Sequence, residues 1–426
     1  MRIRNPEPAG MLQSPFVLVR SMAVALLFAA GCSCAFSAPP VRIALLAPLS
    51  GPMALQGESV SRQLHAAADD INVQGGLSGG AKIEIVDFDD QLSPQQGLIA
   101  LQSAINRDIR FITQGLGSSV SLALSDGIAK HNARNPDKPV LFLNYGGLDP
   151  ELTNSKCQFW HFRFDAHTDM RVNVLAEYLR RQPSIRKVYL INQDYAWGQS
   201  VSRATKETIA IRRPDISIVG DDLHPLARVK DFAPYVAKIK ASGADAVVTG
   251  NWGSDLSLLV RAGREAGLDI QYFVLGTALK GLPTTLGRAG EGNLKVLVPW
   301  VRDAADSRSA RFADDFKEKT GDDWSFEQFR HMLRMLVTAT NQAQSVEPLA
   351  VARALEGMRI AGDTGELWMR PEDHQLFNPM FIATLARSGT KGVSHDWENS
   401  GYGWRADATV GPESFSVPTT CRMTAP

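Results

Sequence analysis

The feature that most constrains this chain is an alternation of short apolar runs with helical patterns, and it occurs twice. Runs rich in Ile, Val, Leu and Phe lie at 41–46, 82–87, 111–114 and 140–144, each bounded by turn residues. Between them apolar side chains recur at helical spacing. Leu98, Leu101 and Ile105, for instance, fall at i, i+3 and i+7. A second array follows, with strand-like runs at 187–192, 217–219, 246–249 and 271–275 and helical patterns at 168–179 and 254–267. Short strands alternating with helices predict βαβ units and parallel sheets. Two such arrays predict two doubly wound α/β lobes.

The rest of the chain suggests how the lobes are joined. Residues 159–164 read as a first crossing between them. After a run at 294–300 come helical patterns at 306–320, 326–344 and 348–357, then β-like runs at 365–369 and 381–388. That order predicts a multi-crossing hinge. The first lobe would take 41–160 with about 301–360, and the second 161–300 with about 361–426. A cleft between two such lobes, at the carboxyl ends of parallel strands, is where a small molecule binds.

Residues 1–37 do not read as fold. Arg2, Arg4 and Arg20 precede an apolar run from Met22 to Ala30 that ends in small residues. This pattern predicts a secretory signal peptide, and the run is too short for a membrane span. Met11 is an alternative start. Cleavage after small residues near Ala35 is expected, with a lipid anchor at Cys32 in Ala29-Ala30-Gly31-Cys32 as the alternative. The whole chain balances 45 basic against 45 acidic residues. Losing the leader, with its three Arg and Glu7, leaves a formal charge of −2. That balance argues against nucleic acid and anionic membrane as partners. The two remaining cysteines, Cys157 and Cys421, are expected to form a structural disulfide that ties the C-terminal tail to the segment between the lobes.

Several motifs carry a bland and a functional reading. Gly76-Leu77-Ser78-Gly79-Gly80 matches a nucleophile elbow in letters, but it follows a helix and precedes a strand, so it reads as a turn. Asp87-Phe88-Asp89-Asp90 lacks the oxygen spacing of a calcium loop. His161 and His167 do not have metal-ligand spacing, and no metal or cofactor is expected. Arg163 would either clamp an anion or pair with Asp165 or Asp169. Gly115-Leu116-Gly117-Ser118-Ser119 follows a strand and opens a helix. It is either a carboxylate seat or an ordinary N-cap by Ser118. Asn192-Gln193-Asp194-Tyr195-Ala196-Trp197 and Asn251-Trp252 place aromatic and polar groups where strands of the second lobe give way to helices. Such groups suit the wall of a small-molecule cleft.

From Val41 onward the chain resembles type I periplasmic binding proteins of ABC importers, in the branched-chain amino acid group. The resemblance rests on Pro48-Leu49-Ser50-Gly51-Pro52, Gly75-Gly76-Leu77, Asp89-Asp90, Gly117-Ser118-Ser119, Asp149-Pro150-Glu151-Leu152-Thr153 and Tyr195-Ala196-Trp197-Gly198. It implies two lobes that close on a solute, delivery to an ABC permease in the inner membrane, a periplasmic location and no catalysis. Ser118 and Ser119 match serines that take the ligand carboxylate, and Trp197 stands where the family often has Tyr. Gln56 stands at an aromatic position. Leu148, with Tyr145 and Gly147 beside it, is near a Thr that helps hold an α-ammonium. Gly276-Thr277-Ala278 replaces a Gly-x-Glu whose carboxylate pairs with that ammonium, and Asp194 is the candidate substitute. Burying an ammonium without a partner is costly. The expected solute is therefore a small carboxylate, either amino-acid-like, aromatic or aliphatic, with an amide as the other option. The protein is expected to act as a monomer. A periplasmic ligand sensor is the alternative role, and an exported enzyme ranks below both.

Overall fold

The computed structural model describes residues 38–426, so the leader and Cys32 lie outside the described residues. The first lobe alternates strand and helix: β1 (Val41–Ala47), α1 (Ala54–Val73), β2 (Ile83–Asp89), α2 (Pro94–Asn106), β3 (Phe111–Gln114), α3 (Ser118–Arg134), β4 (Leu141–Asn144) and β5 (His161–Arg163). These strands form one parallel sheet in the order β2-β1-β3-β4-β5. Successive strand residues point to opposite faces. On one face Ala44, Leu46, Ile112 and Phe142 pack under α2 and α3, while on the other Ile43, Leu45 and Leu143 join the larger core. That two-sided burial explains why Phe111-Ile112 of β3 and Leu141-Phe142-Leu143 of β4 are apolar at consecutive positions rather than alternating.

The second lobe continues with α4 (Thr168–Leu179), β6 (Lys187–Gln193), α5 (Ala196–Arg212), β7 (Ser217–His224), α6 (Ala233–Ser242), β8 (Ala246–Thr249), α7 (Ser254–Glu265), β9 (Gln271–Val274), α8 (Leu282–Gly290) and β10 (Leu294–Val298). After it come α9 (Ser307–Thr320), α10 (Glu327–Ala343) and α11 (Pro348–Leu355). The chain closes with β11 (Arg359–Ala361), β12 (Glu366–Met369), β13 (Leu376–Phe377), β14 (Met380–Arg387) and β15 (Tyr402–Val410). The second sheet runs β15-β14-β10-β9-β8-β6-β7, parallel from β7 to β10 and antiparallel through β14 and β15. The helix α10 packs on α1, and α11 packs on α10.

Three details differ from the sequence expectation. The run at 159–164 is not itself the crossing: His161–Arg163 is the edge strand of the first sheet, in register with Phe142–Asn144. The first passage between lobes is 164–167, the second lies between β10 and α9, and the third is Asn378–Pro379 ahead of β14. Segment 361–377, expected with the second lobe, instead belongs with Arg359 and Ile360 to a small antiparallel sheet of its own (β11-β12-β13). Gln375 bridges to Arg163 at the edge of the first sheet. The strand β15 had no counterpart in the sequence reading, because its Arg405, Asp407 and small residues do not form an apolar run.

Cys157 and Cys421 are joined, with Cα atoms 5.6 Å apart. The tail is also held by Thr419, which donates to the Thr153 carbonyl at 2.8 Å, and by the Thr420 N–H, which donates to Asn154 Oδ1 at 3.0 Å.

A buried polar cluster fixes the hinge. Arg171 of α4 donates to both Asp165 Oδ1 (2.6 Å) and the Leu297 carbonyl (2.6 Å), and its side chain is wholly buried. Removing one member of a buried pair leaves the other charge uncompensated. Arg171→Leu should therefore lower unfolding free energy by about 3–5 kcal/mol. Urea denaturation measures this, and an unchanged midpoint would contradict the role given to the pair.

Candidate functional site

The ends of β3, β4, β6, β8 and β9 converge between the lobes. The first lobe contributes Gly115, Leu116, Gly117, Ser118, Gly146 and Leu148 to a shared cleft, and Phe326, just ahead of α10, adds a ring. The second lobe contributes Tyr195, Trp197, Trp252, Gly276, Thr277 and Leu279. Asp165, from the first passage, lies between the two groups. The close approach at Gly115 depends on glycine: a Cβ there would sit 2.5 Å from the Gly146 nitrogen and against the Tyr145 ring.

Ser118 begins α3, after Gly117 at φ +88°, and its side chain does not cap the helix. Its Oγ instead accepts the N–H groups of Leu148 (3.1 Å) and Asp149 (3.2 Å). A hydroxyl has two acceptor lone pairs and one proton. With both lone pairs engaged, Ser118 can only donate to what enters the cleft. The first N–H groups of α3 also lack intrahelical partners, as at any helix start. Across the cleft, the Trp252 indole N–H donates to the Tyr195 hydroxyl at 2.9 Å, which fixes two aromatic walls. The Trp197 indole nitrogen is buried and has no partner among the described residues.

Asp165 is the one acidic residue on this lining. Its Oδ1 accepts Arg171 and the Ala166 N–H (2.8 Å), and its Oδ2 accepts Gln328 Nε2 at 2.9 Å. Its charge is thus balanced within the protein. Burial pushes the Tyr145 and Tyr195 phenols up from their ordinary value, and both stay neutral. Burial, reinforced by Arg163, pulls His161 and His167 well below the ordinary imidazole range. The hinge therefore carries no histidine charge near neutral pH.

Of the residues singled out in the sequence, Ser118, Leu148, Trp197, Trp252 and Thr277 line the cleft, and Gln56 lines the space in front of it. The others lie off that lining. Ser119 is one helical step, about 100°, around from Ser118. Tyr145 is wholly buried beneath the floor, edge-on to Phe326 at 5.9 Å. Gly147 is pinned by its N–H to Asn144 Oδ1 at 2.6 Å, and Asn251 faces His224 at 3.1 Å. Asp194 is exposed and accepts Gln199, so it supplies no charge to the cleft. Ala278 is buried beside Thr277. Arg163 neither clamps an anion nor pairs with Asp165 or Asp169. It donates to the Gly147 and Asp149 carbonyls, Gln375 and Thr153.

Sequence reasoning missed Asp165, Tyr195 and Phe326 as lining residues. Tyr195 stood inside the aromatic motif already noted, and Asp165 was assigned only to Arg163. Phe326 arrives from 160 residues downstream, where nothing local marks it.

Two α/β lobes, a shared hinge and a polar-floored aromatic cleft define a two-lobed solute-binding protein of the transporter type. The sequence profile of the periplasmic binding protein family matches residues 40–391, and the chain belongs to that family. Leu/Ile/Val-binding protein homolog 4 of Brucella melitensis is 32% identical, over 96% of this chain and 98% of that protein. The leucine-, isoleucine-, valine-, threonine- and alanine-binding protein of Brucella ovis, solved in a closed conformation, superposes with a TM-score of 0.82. It is 30% identical, and the match covers 91% of this chain and all of that one. A solute-binding protein of Rhodopseudomonas palustris in complex with 3,4-dihydroxybenzoic acid shares the fold at a TM-score of 0.74 and 18% identity, covering 88% of this chain and 98% of its own.

The lobes meet at Gly253, where φ is +62° and a Cβ would lie 2.9 Å from Met53 Sδ. Gly253→Ala should therefore strain the backbone by about 1–3 kcal/mol and wedge the lobes apart. A urea midpoint and ligand affinity both equal to wild type would contradict this contact.

Proposed function

We propose that the inner cleft takes a small solute by its carboxylate, seated on the N-terminus of α3 and on the Ser118 hydroxyl. The observation that carries this reading is the double acceptance at Ser118, which leaves only its proton for the ligand. An ammonium would be repelled by such a group, whereas an anionic oxygen completes it. The solute would then be handed to an ABC permease, with the protein acting as a monomer that binds without catalysis. Residues 1–37 would direct export and then be removed, with cleavage near Ala35 preferred over a lipid anchor at Cys32.

An apolar α-amino acid is the second reading. The names of the Brucella relatives favour it, and Asp165 on the lining gives an ammonium a carboxylate to meet. Against it stand Ala278, which brings no charge, and the Arg171 pairing that already neutralises Asp165.

Isothermal titration against non-amino carboxylates and apolar amino acids tests the seat. Ser118→Ala with Ser119→Ala should weaken whichever carboxylate binds by about 1–3 kcal/mol. Unchanged affinity in the double variant would remove the seat from the account.

A further inference from the structure

The inner cleft is small, about 50 Å³, and opens onto a larger chamber of about 320 Å³. Trp252, Thr277 and Leu279 line both spaces, so the two are compartments of one site rather than separate pockets. One wall of the chamber is the start of α1, with Pro52, Leu55 and Gln56, and the facing wall is α7 with the segment leading into α8. The chamber therefore exists only while the lobes are together. Its walls are mainly apolar, with Leu256, Leu258 and Leu282 opposite Leu55. Leu55 is 46% exposed, a large apolar side chain held towards open space at the N-terminal end of a helix. Lys280 at the rim is already paired with Asp322.

A cleft of that inner size holds a carboxylate and few further atoms, since a cavity needs about 10–15 Å³ of such space for each water. We propose that the ligand is elongated: its carboxylate sits at Ser118, and an aryl or unbranched alkyl body passes Trp252 into the outer chamber. This inference rests on the carboxylate reading and adds the ligand class to it. Such a ligand touches α1 on one side and α7 on the other, so its apolar body would reward the closed arrangement directly.

Titration of the purified protein with two homologous series tests the inference: n-alkanoates from propanoate to octanoate, and L-2-aminoalkanoates from alanine to 2-aminooctanoate. Affinity should rise by about fourfold per methylene in the series that binds, the gain expected from burying a CH₂. Ser257→Trp, placed in the chamber and off the inner cleft, should abolish that rise and leave the shortest member's affinity unchanged. Leu55→Asp, at an exposed position that tolerates charge, should do the same if the tryptophan variant fails to fold. Affinity that is flat or falling with length, while the shortest member binds, would overturn the elongated ligand and leave the carboxylate seat standing. Failure of every member of both series, and of benzoate and 3-phenylpropanoate titrated beside them, to bind would overturn the seat itself, and the inference with it.

Discussion

Asp165 sits where the three passages between the lobes come together, and the rest of the molecule is arranged around its charge. The residue lies on the first passage. Gln328, which donates to its side chain, follows the second, and Gln375, which donates to its carbonyl at 2.8 Å, precedes the third. Arg171 brings the compensating charge from α4 and also holds the carbonyl ends of β9 and β10. Arg163 extends the cluster by donating to Gln375 at 2.7 Å and to the turn after β4. Ions removed from water are tolerated only with this degree of hydrogen bonding. A buried carboxylate with every oxygen bonded resists any rearrangement that breaks those bonds, so motion between the lobes must leave the Asp165–Arg171 pair intact and be confined to torsions beside it.

That constraint explains the character of the cleft. The hinge charges are paired internally, although both His167 ring nitrogens and Gln328 Oε1 are buried without a partner among the described residues, and what faces the cleft is a donor-rich floor on one lobe and an aromatic wall on the other. The lining is divided between the two lobes, so on the proposed reading the ligand's contacts are divided as well. Only such divided contacts can shift the balance toward closure, because a ligand bound equally well in both states shifts nothing. Ser118 belongs to the first lobe and Trp197 and Trp252 to the second, which gives a bridging ligand differential contacts without rebuilding the hinge.

Much of this was legible in the sequence wherever the signal is local. Strands at 246–249 and helices such as Pro348–Leu355 announce themselves by periodicity and by Pro at the start of a helix. Ser118 was legible because a strand, a glycine and a helix start adjoin there. The cysteine pair was legible by elimination of other roles for two lone thiols. What was not legible depends on long-range pairing. The short strand His161–Arg163 is defined by its partner Phe142–Asn144, and β15 by its antiparallel neighbour, since neither has a strong pattern of its own. The burial of Arg163 and Arg171 is likewise invisible locally, because a charged residue signals exposure unless its partners, here as far away as Gln375, are known. Asp194 shows the converse error: it stood beside the aromatic motif, yet the turn that places Trp197 in the cleft turns Asp194 out to solvent.

Small-angle X-ray scattering of the purified protein, with and without a saturating carboxylate ligand, tests the central claim most directly. If the solute is held between lobes that close on it, the radius of gyration falls when ligand is added and the low-angle profile matches the closed arrangement. A ligand that demonstrably binds, yet leaves the scattering profile unchanged from an already closed or a still open form, would contradict capture by closure.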